Sequence, residues 1–143
     1  MNEGYYIKPN GEKVYFDPES TTYLDGIPMT KLVVPDGVIF LSCEFNGLKE
    51  LILPEGILSV SCNNNNLTQL ILPDSVEYAW CDNNQLTELI VPNNIFFLTC
   101  YHNKIKNVKL PTNKLITIWP DLNSIDLVEL KNNKPKTPIM IYA

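Results

Sequence analysis

Through the middle of the chain, residues of one character return every nineteenth position. Cysteine stands at 43, 62, 81 and 100, and asparagine at 46, 65, 84 and 103, followed two residues on by Leu48, Leu67, Leu86 and Ile105. Proline keeps the step at 35, 54, 73, 92 and 111, and apolar files run through Leu51, Leu70, Leu89 and Val108, then Leu53, Leu72, Val91 and Leu110. A period of this length marks a solenoid, whose units bury their apolar faces only by stacking. Within one unit Leu41, Ser42, Cys43 and Glu44 alternate, so Leu41 and Cys43 point inward while Phe40, Ser42 and Glu44 point outward from a strand. The strands are expected to stack in parallel at about 4.8 Å. Each asparagine is expected to end its strand and satisfy backbone groups at the turn. The proline corners turn the chain back along a return path that holds too much Pro and Asn for helix, so extended or 3₁₀-like backbone is predicted there.

The last unit keeps the columns only with a 20-residue step, which carries them to Asn123, Ile125, Val128 and Leu130 and places an extra residue within 112–114. Upstream, Leu24, Met29, Leu32 and Val34 continue them at half strength. Residues 5–16, from Tyr5 to Phe16 around Asn10 and Gly11, read as a β-hairpin that caps the N-terminal end. Pro120 suits an edge strand. Residues 131–143 are expected to fold back over that end, with 138–142 extended; left uncovered, they would be an oligomerisation site. The division is thus 1–31 for the cap and a partial repeat, 32–130 for the repeats, and 131–143 for a C-terminal cap or tail.

The segments from Val38 to Leu48, Ile57 to Leu67, Val76 to Leu86 and Ile95 to Ile105 match L-x-x-L-x-C-x-x-N-x-L, and the match covers about residues 24–130. In this the chain resembles the leucine-rich-repeat proteins, above all the short-repeat bacterial and viral type found in type III secreted effectors, which share the proline-marked return segment. The resemblance implies a right-handed leucine-rich-repeat solenoid with one parallel concave sheet, little or no helix, and a binding function. Some of those effectors carry a catalytic ubiquitin-ligase domain; no stretch here remains to encode one.

Apolar residues make up 45% of the chain and charged residues 19%, enough to build a core and too few charges for wholesale disorder. No apolar run approaches a membrane span, and the N-terminus lacks the marks of a signal peptide. A cytoplasmic protein with no membrane association is expected, and export to a host cell would need a route that leaves no such mark. The formal charge of -5 is uneven: residues 1–31 sum to -2, residues 32–101 to -7 and residues 102–143 to +4, and arginine is absent. The missing guanidinium fork weighs against a nucleic-acid partner.

Aromatics at outward strand positions are informative, because burial does not explain them. Phe40, Tyr78, Trp80, Phe97, Tyr101 and Trp119, rimmed by Glu44, Asp82 and Asp121, form the candidate partner-binding face. Against this stands simple cross-strand packing of the rings. Asn46, Asn65, Asn84, Asn103 and Asn123, with Cys43, Cys62, Cys81 and Cys100, are assigned structural roles: a straight file of four thiols cannot surround a tetrahedral zinc, so buried thiols and no metal are expected. No nucleophile, base and metal set converges around His102, the only histidine, so neither an enzyme nor a cofactor is expected. The expected function is recognition of a protein partner by a monomer. An effector acting by occlusion, a self-assembling structural subunit and carbohydrate binding on the exposed aromatics are the alternatives.

Overall fold

A computed structural model describes residues 3–17 and 19–111, and the backbone of 115–119 and 138–142. Among the described residues the 19-residue period appears as a helix-free β-solenoid of about 5 turns. Its first sheet has seven strands, all parallel to their neighbours: β3 (Thr21–Tyr23), β5 (Phe40–Ser42), β7 (Ser59–Ser61), β8 (Tyr78–Trp80), β10 (Phe97–Thr99), β13 (Pro138–Tyr142) and β12 (Leu115–Trp119), in that spatial order. The register repeats at the period, Leu41 pairing with Val60, Val60 with Ala79 and Ala79 with Leu98. Hydrogen bonds extend the ladder beyond the strands, from Cys43 N to Ser61 O, Cys62 N to Trp80 O and Cys81 N to Thr99 O.

The return path is extended as well, and its strands form two further sheets, the larger of which is called the second sheet. Here β1 (Gly4–Ile7), β2 (Lys13–Phe16), β4 (Lys31–Val33) and β6 (Glu50–Ile52) pair in the order β2-β1-β4-β6, and β9 (Glu88–Ile90) pairs in parallel with β11 (Asn107–Lys109). The equivalent residues 69–71 form no strand. The expectation of a single concave sheet is therefore corrected. Return-path residues pair with their equivalents one turn on, as the residues of the first sheet do, Leu32 with Leu51 and Leu89 with Val108.

The core is a set of files running from turn to turn. Leu48, Leu67, Leu86 and Ile105 form one, Val38, Ile57, Val76 and Ile95 another, and the four cysteines a third, all buried. The predicted hairpin is β1 and β2, antiparallel about Asn10 and Gly11, and its β1 pairs antiparallel with β4. Tyr6 and Phe16 pack against the core from it. Gly4 is needed where these pieces meet: an added Cβ would stand 2.8 Å from both Phe16 Cζ and Pro35 Cδ.

At the C-terminal side, 138–142 is extended as expected but lies between β10 and β12 rather than outside them. In the register Tyr142 stands beside Thr99, and Trp119 follows Tyr142. A periodic register fixes which residues share a column and says nothing about a non-repeating strand inserted between two of them. Asp121 and Asn123 lie outside the described residues.

Candidate functional site

The asparagine file is the clearest polar device. Asn65 Nδ2 donates to the carbonyls of Cys43, Cys62 and Asn63, and its Oδ1 accepts from the backbone N–H of Asn46 and Leu48. Asn84 and Asn103 repeat this against the turn before them, and Asn46 reaches back to Leu24 O and Ile27 N. Each amide so joins two turns and supplies partners that a buried bend would otherwise lack, at roughly 1–3 kcal/mol per unmet group. The residue before each asparagine takes a left-handed backbone: Phe45, Asn64, Asn83 and His102 have φ of 57, 57, 54 and 54°.

The four cysteines are buried thiols with no disulfide between them. Burial, with Glu44 and Asp82 adding to it, pushes Cys62 up to about 12 from 9.0. Burial likewise raises Cys43, and a hydrogen bond in which the Cys81 thiol donates toward Cys100, then burial, raises Cys81. A thiol held protonated is a poor nucleophile and a poor ligand. Among the described residues no group of His, Cys, Asp and Glu could hold a metal ion.

On the outer face of the first sheet the rings of β8 and β10 come together. Tyr78 and Trp80 stack with centroids 6.5 Å apart and planes 15° apart, and Trp80 lies 5.5 Å from Phe97. Phe96, not anticipated as a site residue, joins them at 6.2 Å from Tyr78 and is 56% exposed. It escaped notice because it precedes the alternation of β10 instead of belonging to it. Tyr78 is 41% exposed, while Trp80, Phe97 and Tyr101 are half-buried. Phe40 is exposed but stands apart from the cluster, with Ser59 between it and Tyr78 in the register.

The carboxylates expected at the rim of this face also serve the fold. Glu44 Oε1 accepts from Ser61 Oγ and Asn63 Nδ2, and Asp82 accepts from Thr99 Oγ1 and the N–H of Tyr101. One turn earlier Asp25 does the same for Ser42 Oγ and the N–H of Glu44. This second ladder was not foreseen, although the sequence carries its signal: a hydroxyl 17 residues and a polar residue 19 residues after the acid. The return path presents a different surface, with exposed Ile52, Ile71 and Ile90 one period apart and a Lys31–Glu50 ion pair of 2.9 Å.

No protein-family model, curated protein or solved structure matches this chain.

Proposed function

We propose that this protein is a recognition module that binds a protein partner through the first-sheet face around Tyr78, Trp80, Phe96 and Phe97. The observation that carries the proposal is the clustering of these rings at outward positions of a sheet whose core is already filled by aliphatic and cysteine files. Tyr and Trp are the residues that interfaces use as anchors, since they bring large rigid area and a polar edge at little entropic cost. Cross-strand packing accounts for ring contacts, but it does not require a ring that is 56% exposed at Phe96. The exposed isoleucine file lacks that polar edge and is the weaker candidate.

In this proposal the protein is kin to the short-repeat leucine-rich-repeat binders, the hairpin caps the N-terminal end of the core, and occlusion of the partner is the form an effector role would take. The support is the periodic motif together with the stacked turns. None of the residues described offers a helix long and apolar enough to cross a membrane, in keeping with a partner met outside the bilayer. The test is comparative affinity capture with the parent and a Tyr78→Ser, Trp80→Ser variant of unchanged circular dichroism. The variant should lose partners that the parent retains. Equal recovery of the same partners by both would remove the aromatic face from the function.

A further inference from the structure

The two large sheets stop at different levels at the N-terminal end. The strands β3 and β4 belong to one turn, one in each sheet. Past β4 the second sheet continues through β1 and β2, roughly 10 Å further, while the first sheet ends at β3. The hairpin therefore stands beside a notch whose floor is the edge of β3. Ser20 O accepts from Ile39 and Phe40, and Leu24 N donates to Ser42, so the alternate residues Thr21 and Tyr23 turn their N–H and C=O away from β5. In the hairpin Lys8 N bonds Glu12 O, which makes Tyr6 and Val14 the next bonded pair. Lys13 and Tyr15 then turn their N–H and C=O away from β1. Among the described residues nothing bonds these two outward edges.

We propose that the notch receives a second copy of this chain, whose β2 lies antiparallel along β3, with Tyr23 opposite Lys13 and Thr21 opposite Tyr15 of the other copy. The free donors and acceptors of both edges recur at the same two-residue step, so each pair can exchange both of its bonds. The side chains agree with this register. Exposed positions meet exposed ones, and Val14, half-buried, falls opposite the inward Thr22. The Tyr23 ring, 74% exposed, gains a neighbour. Charge agrees as well. Residues 17–25 carry Asp17, Glu19 and Asp25 and no cation, whereas Lys13 lies over the Tyr5 and Tyr15 rings with no carboxylate paired to it among the described residues. In the joined edge Lys13 stands diagonal to Asp25 of the other copy, within reach of a long side chain. A foreign strand could fill one notch, but a second hairpin of this chain is filled in turn, so one half-turn gives the contact twice and closes the pair. The inference goes beyond the recognition face and leaves it open, since β8 and β10 lie three and four strands from β3.

The experiment is sedimentation of the full chain over a dilution series from millimolar to micromolar, with amide exchange followed on the same samples. The chain should sediment at twice its mass when concentrated and at its single mass when dilute. The Thr21 and Tyr23 amides should exchange more slowly in the concentrated sample. Tyr23→Pro removes a donor on the open edge and none that bonds β5, and should weaken the association by about tenfold or more. Lys13→Glu, at an exposed position, should weaken it as much by setting like charge beside Asp25, and it carries the test if the proline variant unfolds. A single mass at every concentration would overturn the inference. So would association that neither variant weakens, or that Tyr78→Ser with Trp80→Ser abolishes, since the copies would then meet elsewhere.

Discussion

The residue before each ladder asparagine must turn through a backbone conformation that costs an ordinary side chain roughly 1–2 kcal/mol. Asn64 and Asn83 tolerate it, whereas Phe45 takes the same φ of 57° with a ring that is 65% exposed and buries little in return. Phe45→Asn should therefore stabilise the protein by about 0.5–1 kcal/mol, read as a higher urea midpoint at unchanged slope. Three different residue types in one column (Phe, Asn, Asn, His) hid this constraint from sequence reading, since only the bend itself is shared. The cysteine and asparagine columns were legible because each demands one residue type. Cys62 makes a pH prediction. Its thiol keeps its proton to about 12 when folded and loses it near 9.0 when unfolded, so the stability it holds is complete below pH 9 and drains as pH rises toward 12. The loss is about 1.4 kcal/mol per pH unit for this one thiol. Denaturation midpoints measured from pH 8 to about 10.5 should fall less steeply in Cys62→Ala than in the parent, and identical slopes would refute the assignment.

Among the elements, the strands of the first sheet were readable from alternation, because Leu41-Ser42-Cys43-Glu44 and its equivalents repeat it at a fixed step. The second sheet was read only as extended backbone. Its repeat strands, Lys31–Val33 and Glu50–Ile52, each stop two residues short of a proline corner, too little alternation to separate a strand from any other extended turn. The hairpin was legible from Asn10 and Gly11, but its pairing with β4 was not, since antiparallel β1 falls outside the repeat. That pairing depends on the close fit at Gly4, where a side chain would collide with Phe16 and Pro35. Gly4→Val should release β1 from β4, so amide exchange at Val33, which pairs with Tyr5, and at Thr30, whose N–H donates to Ile7 O at 2.7 Å, should quicken while Leu98 in β10 stays protected. Unchanged protection at both sites would show that the hairpin is not held there.

For the whole molecule, stability is shared along the axis, because each turn touches only its neighbours and each file continues through all of them. The same stacking that fills the inside leaves a face whose chemistry the core does not dictate, and there the rings of Tyr78, Trp80, Phe96 and Phe97 gather. The columns of that face could be read from the sequence, but its cluster could not: Phe96 lies off the period, and Tyr142 stands between Thr99 and Trp119 in the register. Everything functional depends on coils stacked one period apart with those rings outside. Nuclear Overhauser contacts in a uniformly labelled sample test this directly. The stacked coil predicts a chain of backbone contacts from Leu41 to Val60 to Ala79 to Leu98, and ring contacts from Trp80 to Tyr78 and Phe97. Absence of that chain, or contacts from the Trp80 ring to the buried Leu67 and Leu86, would contradict it.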